Sequence, residues 1–72
     1  MASANGTGRG LSDRRIAEHA DWYSDRAYWH YSPAAIAAGV LDAELRAILC
    51  REVGPERVEV EFARVIKIVR RQ

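Results

Sequence analysis

Residues 57–69 read RVEVEFARVIKIV, and the fold class of the chain depends on how this stretch folds. Every second residue from Val58 to Ile68 is apolar except Arg64, which is the pattern of a strand with one buried face. Six of the thirteen residues are β-branched, and such side chains are enriched in strands. The stretch also fits a helical stripe of apolar residues: Val58, Phe62, Val65, Ile66 and Val69. We predict a β-strand at residues 57–69, with a helix as the alternative.

A strand at residues 57–69 would have no partner strand within the chain. It contains no Gly, Asn, Asp or Pro at which a hairpin could turn, and the preceding sequence shows helical patterns. A lone strand leaves backbone groups unpaired, so it must pair with another copy or with a partner's sheet. The predicted fold class is therefore α+β, with two or three helices followed by one C-terminal strand; the alternative is an all-α three-helix domain. The strand residues expected at such an interface are Val60, Phe62, Ile66 and Ile68.

The first predicted helix begins at Ser12 or Asp13, either of which is a good N-cap residue. Apolar residues then recur at i, i+4, i+7 and i+11 as one helical stripe: Ile16, Ala20, Tyr23 and Ala27. We expect this helix to continue to Trp29 or His30. The break that follows is Ser32-Pro33, because proline disfavours helix at the residue before it and is well placed at the start of a new one.

A second helical region spans residues 33–53 and stops at Gly54-Pro55. Its broad apolar face consists of Ile36, Val40, Leu41, Leu45, Ile48 and Leu49. Gly39 lies within this region and would cost a continuous helix about 1 kcal/mol relative to alanine. The alternative is a turn at residues 39–41, with Asp42 as the N-cap of a separate helix.

The length of 72 residues predicts one small domain with a marginal core. Domains of this size usually add a disulfide, a bound metal or a partner subunit. Cys50 is the single cysteine, and the two histidines, His19 and His30, form no metal-binding cluster, so association is the favoured source of extra stability. We assign residues 11–72 to this domain. A flexible arm at residues 1–10, rich in Gly, Ser, Thr and Asn, is predicted to precede it.

Composition and charge narrow the environment and the partners. Residues 1–10 contain no apolar run of the kind found in signal peptides, and the longest apolar stretch, residues 34–41, is too short to span a membrane. A single free cysteine fits a reducing compartment, so a cytoplasmic location is predicted.

The net charge of +1 does not support a general nucleic-acid binder. Ten arginines, one lysine and twelve alanines indicate a GC-rich genome. A phage-encoded accessory or structural component of this size would suit an interaction or assembly role.

Residues 35–48 resemble the spacing of a helix-turn-helix, in which a small residue and a glycine let two short helices meet at a tight turn. The corresponding positions hold Ala35, Gly39, Val40, Leu45 and Ile48. An alanine-rich amphipathic helix fills most of these positions by chance, and Asp42 and Glu44 offer little to DNA phosphates. A small dimeric helix-turn-helix DNA-binding regulator is therefore the alternative function. Its nucleic-acid contacts would come from Arg46, Arg51, Lys67, Arg70 and Arg71.

Five of the six aromatic residues lie within residues 22–31. One helix cannot direct all of them to one core, because Tyr23 lies on the buried stripe whereas Trp22 and Trp29 lie seven residues apart on a neighbouring face. Exposed Trp and Tyr near an arginine are typical of the residues that dominate binding energy at interfaces. The alternative is that the rings build the core of a small domain. The interface candidates in this segment are Trp22, Arg26, Tyr28, Trp29 and Tyr31.

No arrangement of side chains in the sequence predicts catalysis. His19 and His30 lie eleven residues apart, unlike the spacing of a zinc pair on a helix, and both are expected on the surface. Cys50 follows Leu49 on an apolar face and is expected to be a small buried side chain. We therefore predict a small non-enzymatic interaction or assembly protein that works as an oligomer or complex subunit. Its expected partners are itself or another protein, with no cofactor, no metal and no membrane.

Overall fold

The computed structural model describes residues 10–72, and within that range it contains four helices and no strand. Helix α1 is Asp13–Trp29, α2 is Pro33–Ala37, α3 is Val40–Val53 and α4 is Val58–Arg71. The predicted arm at residues 1–10 lies almost entirely outside the described residues. None of the described helices is long and apolar enough to cross a bilayer.

The predicted C-terminal strand is wrong, because this segment forms α4. The fold is all-helical, so the α+β class is also wrong and the all-α alternative is correct, with the short α2 added to three longer helices. A helix pairs its own backbone N–H and C=O groups, whereas a lone strand would leave them unpaired. The helical stripe also packs: Val65 is fully buried, and Val58, Phe62 and Val69 pack against the same core. This burial outweighs the modest strand preference of β-branched residues.

Serine side chains start the first two helices, as predicted. The Ser12 hydroxyl accepts a hydrogen bond from the backbone N–H of Arg15 at 3.1 Å. The Ser32 hydroxyl does the same for Ala35 at 3.1 Å, and Pro33 occupies the first turn of α2. The predicted end of α1 at Trp29 or His30 is likewise confirmed. Each cap satisfies a backbone donor that has no partner inside its helix.

Two glycines with left-handed backbone angles set the ends of α3. Gly39 has φ 84° and separates α2 from α3, so the region at residues 33–53 is interrupted rather than continuous. The predicted alternative of a turn is confirmed, but α3 begins at Val40 with Gly39 as its N-cap instead of Asp42. Gly54 has φ 85° and ends α3, as predicted. Glycine adopts such angles without the steric cost that a Cβ imposes.

Helices α1, α3 and α4 enclose the core, which is built from Ile16, Ala20, Leu45, Leu49 and Val65. Side-chain contacts give the helix directions. Leu11 and Ser24, at the two ends of the α1 region, contact Glu61 and Gln72 respectively, so α1 and α4 run parallel. Tyr23 contacts Asp42 near the start of α3 and His19 contacts Glu52 near its end, so α1 and α3 run antiparallel. The C-terminal end of α1 therefore lies beside the beginning of α3.

Candidate interaction surface

The last turn of α1 carries two large aromatic side chains that the core does not use. Tyr28 is 78% exposed and Trp29 is 70% exposed. Their ring centroids are 4.7 Å apart with an interplanar angle of 84°, which is the edge-to-face arrangement that aromatic pairs prefer. The two rings thus support one another while both remain accessible to a partner.

The segment of chain that contains this pair has no charged residue. Residues 27–41 read AYWHYSPAAIAAGVL and contain no Asp, Glu, Lys or Arg. They form the last turn of α1, all of α2 and the start of α3, which follow one another along the chain. Depletion of charge and enrichment in Tyr and Trp distinguish the centres of protein interfaces from ordinary surface. We name this surface the aromatic end, defined by its exposed residues Tyr28, Trp29, Ala34, Ala37 and Val40.

The other aromatic candidates, Trp22 and Tyr31, are more buried than Tyr28 and Trp29. Trp22 is half-buried in a groove between α1 and α3, and the guanidinium of Arg26 lies 5.1 Å from its ring centroid. Tyr31 is also half-buried, and the carboxylate of Glu44 raises its pKa. Of the five candidates in residues 22–31, only Tyr28 and Trp29 are largely free of intramolecular packing.

Tyr23 has a structural role. Its hydroxyl donates a hydrogen bond to Oδ1 of Asp42 at 2.6 Å, which links α1 to the start of α3. Burial raises the pKa of Tyr23 to about 12, and the Asp42 carboxylate adds to this effect. The hydroxyl therefore stays protonated and keeps donating throughout the neutral range. It holds in place the junction on which the aromatic end is built.

The interface candidates on α4 do not share one exposed edge, as they would in the predicted strand. Phe62, Ile66 and Ile68 are half-buried and pack against the core, so the strand edge on which their candidacy rested is absent. Val60 remains 51% exposed. Because helical spacing replaces alternation, only one of these four side chains keeps most of its area accessible.

The turn that a helix-turn-helix requires is present at Gly39, but the residues around this turn carry little positive charge. Helix α2 has five residues, and the first turn of α3 contains Asp42. Arg46 is engaged elsewhere, since it pairs with Glu59 at 2.8 Å and stacks over the ring of Phe62 at 4.0 Å. The remaining nucleic-acid candidates are exposed and form no ion pair within residues 10–72: Arg51, Lys67, Arg70 and Arg71.

His19 is buried, and the prediction that it lies on the surface is wrong. It is 4% exposed, and its Nε2 lies 2.9 Å from Oε1 of Glu52 on α3. Arg15, one turn earlier on α1, pairs with the other oxygen of Glu52. His19 lies three residues after Ile16, and this spacing was a signal in the sequence that it shares the buried stripe. Its acidic partner Glu52 is 33 residues away, so local sequence could not identify the pair. The burial of His19 makes this group a structural link between α1 and α3.

Glu61 is the second polar group that the sequence reading missed. It is fully buried and accepts hydrogen bonds from Arg57 at 2.9 Å, from Arg64 at 2.6 Å and from the backbone N–H of Leu11 at 3.4 Å. Arg64 also donates to the carbonyl of Leu11 at 2.9 Å. A Cβ at residue 10 would overlap the Glu61 carboxylate, so a larger residue there would push that carboxylate aside. The cluster fixes the chain entering α1 against α4.

Stability is expected to fall as the pH drops below about 4.3, the value for glutamate in an unfolded chain. Burial raises the pKa of Glu52 and of Glu61, but hydrogen bonds from neighbouring arginines outweigh it and hold both pKa values below the ordinary range. A carboxyl whose pKa is lower when folded stabilises the protein above its unfolded pKa, and this contribution is lost as pH falls through the folded pKa. Urea midpoints measured from pH 7 to pH 3 test this. The decline should flatten in Glu61→Gln and persist in Glu59→Gln, whose carboxylate is exposed.

Cys50 is exposed, so the prediction that it is a small buried side chain is wrong. The next residue along a helix is turned by about 100°, and this rotation carries Cys50 outward from the buried Leu49. Within residues 10–72 no three His, Cys, Asp or Glu side chains are grouped so that they could hold a metal ion.

Comparison with known proteins adds no guide to function beyond these surfaces. No protein-family model matches the chain, and comparison with curated proteins and with solved structures gives no significant match.

Proposed function

We propose that this chain is a small non-enzymatic interaction module that binds a partner protein through the aromatic end. The observation that carries the proposal is the exposure of Tyr28 and Trp29, 78% and 70%, in a segment of chain without charged residues. Large exposed apolar areas keep ordered water against them and are usually covered in the functional state. In this chain the two largest such side chains are adjacent.

The chemistry of the aromatic end fits a protein partner. Trp and Tyr supply large rigid contact areas, and they dominate binding energy where neighbouring residues exclude water. The exposed alanines of α2 and the exposed Val40 follow in the same uncharged segment, and because they are small and apolar they would allow a partner to approach closely. The expected partner surface is a shallow apolar pocket that accepts the Trp29 ring.

The proposed binding does not use backbone pairing. The expected oligomer through residues 57–69 depended on an unpaired strand, and those residues form α4. Side chains on a preformed helix end would make the contacts instead, so little ordering of the chain accompanies binding.

Trp29→Ala is expected to weaken partner binding by about 2 kcal/mol or more while leaving folding stability nearly unchanged. A ring that is 70% exposed contributes little to the core, so its removal should shift the urea midpoint only slightly. Partners cross-linked to the wild type should be recovered and their dissociation constants measured with both forms. Val60→Ala, which removes an exposed apolar side chain on α4, serves as the matched control.

Two results would overturn the proposal. The first is equal binding by Trp29→Ala and Val60→Ala. The second is tight binding to heparin or duplex DNA with a steep loss of affinity as salt is raised, since such a dependence marks release of counterions from phosphates or sulfates. That second result would favour the nucleic-acid alternative and its exposed cations Arg51, Lys67, Arg70 and Arg71.

A further inference from the structure

A shallow cavity of about 350 Å³ lies between α1 and α4. Its apolar lining comes from one buried and one half-buried isoleucine, Ile16 and Ile68. Its charged lining consists of one acidic residue of α1 and three cationic residues of α4: Asp13, Arg64, Lys67 and Arg71. The cavity thus joins an apolar part to a mainly cationic one.

Two of the cations at this cavity are unpaired. Arg64 is engaged by Asp13 at 3.0 Å and by Glu61 at 2.6 Å, so it adds no free positive charge. Lys67 and Arg71 are exposed, lie one turn apart on α4 and form no ion pair with any residue of 10–72. The dipole of α4 places only about half a negative charge at its last turn. An excess of positive charge therefore remains on this wall of the cavity.

Helix α1 does not neutralise this excess. Asp21 lies outside the cavity lining, and its carboxylate is 3.5 Å from the amide of Gln72. Arg14, two turns earlier on the same face of α1, is exposed and carries the opposite charge. These two charges cancel, so the surface formed by α1 and α4 stays net positive and is complementary to an anionic group.

The groove between α1 and α4 leads toward the aromatic end. The hydroxyl of Ser24 donates a hydrogen bond to Oε1 of Gln72 at 2.7 Å, so the end of α4 lies beside Ser24. Tyr28 follows Ser24 by four residues, which places it one turn further along the same face of α1. A partner in contact with Tyr28 is therefore only about one or two helical turns, or 5–10 Å, from the end of the cationic wall.

We infer that the partner protein bound at the aromatic end carries an acidic segment whose carboxylates contact Lys67 and Arg71. An apolar side chain of the same segment covers the isoleucine lining of the cavity. The inference rests on the proposed function and adds to it the chemistry of the partner. The charges are exposed, so this part of the contact contributes modestly to affinity and is weakened by salt.

An acidic protein segment fits the cavity better than other anions do. A sugar-phosphate backbone would leave the isoleucine lining uncovered, and Asp13 at the cavity would repel successive phosphates. Residues 1–9 of this chain contain no Asp or Glu, so they do not supply the carboxylates. A partner segment with both carboxylates and apolar side chains matches both parts of the lining.

A random peptide library displayed on phage and panned against the full chain at low ionic strength tests the inference. Enriched peptides are expected to combine Asp or Glu with neighbouring apolar residues. Their dissociation constants should rise about tenfold or more in Lys67→Glu/Arg71→Glu, because each substitution replaces an attractive contact with a repulsive one. The dissociation constants for the wild type should also rise as salt is added.

The matched control is Arg51→Glu/Arg70→Glu, which makes the same charge change at two exposed cations outside the cavity lining. Arg70 lies in the same turn of α4 as Arg71 but near Tyr23, so the substitution there is equally unfavourable to the helix end. This variant should bind the peptides about as tightly as the wild type does. Circular dichroism of both double variants separates a lost contact from a lost fold.

Four results would overturn the inference: enriched peptides without acidic residues, equal weakening in the two double variants, tighter binding of duplex DNA than of the peptides, or self-association that is lost in Lys67→Glu/Arg71→Glu. Trp29→Ala separates this inference from the proposed function. Partner binding that is weakened by Trp29→Ala but not by Lys67→Glu/Arg71→Glu would overturn the inference and leave the proposed function standing. Weakening by the cation variant alone would instead overturn the aromatic end as the binding site.

Discussion

Leu45→Ala is expected to lower the free energy of unfolding by about 2–5 kcal/mol, the range for removal of a buried leucine side chain. Leu45 is fully buried on α3 and packs with Ile16, Leu49 and Val65, so its removal leaves a cavity where three helices meet. A chain of this length has a total stability of only about 4–11 kcal/mol. The variant should therefore be largely unfolded at moderate urea concentrations where the wild type is intact.

The matched control for Leu45→Ala is Val40→Ala in the same helix. Val40 is 44% exposed, so the loss should be well under that of Leu45→Ala. Urea unfolding followed by circular dichroism at 222 nm measures both. Similar losses in the two variants would contradict a core centred on Leu45.

Glu61→Ala is expected to lower the free energy of unfolding by about 2–4 kcal/mol, although glutamate is a polar residue. The change removes the carboxylate that neutralises Arg57 and Arg64 and that accepts a hydrogen bond from the Leu11 backbone. Both arginines are about one-third exposed and can turn partly to water, which keeps the loss below that of a fully enclosed ion pair. The start of α1 should lose amide-exchange protection before the centre of α3.

Glu59 provides a close comparison for Glu61 because it lies two residues away on α4 and also pairs with an arginine. Its side chain is 66% exposed, and exposed ion pairs contribute only about 0–1 kcal/mol. Glu59→Gln should thus have a small effect at neutral pH, and Glu61→Gln a larger one. Equal effects would show that burial of the Glu61 carboxylate does not determine its contribution.

Local sequence was enough to predict much of the candidate surface, but it did not predict that Glu61 is buried. Tyr28 and Trp29 were interface candidates because one helix cannot bury side chains on all its faces, and both are exposed. Glu61 was missed because the strand interpretation placed it with Glu59 on the solvent side. In a helix it lies four residues before Val65, on the buried stripe. The burial of Glu61 was therefore missed because the segment was interpreted with the two-residue period of a strand instead of the period of a helix.

The sequence by itself determined where α1 begins and ends, where α2 begins and where α3 ends. Ser12, Ser32, Gly39 and Gly54 act through their own backbone angles or through hydrogen bonds within three residues, so their effects are local and readable. Tertiary structure alone decided that residues 57–69 form a helix. Their sequence fits both the two-residue period of a strand and the period of a helix, and only the helix packs its apolar stripe against α1 and α3. Tertiary structure also decided the links of Glu52 to His19 and of Glu61 to Leu11, which join residues 33 and 50 positions apart. Local pattern cannot specify such contacts, since they exist only once the helices have packed together.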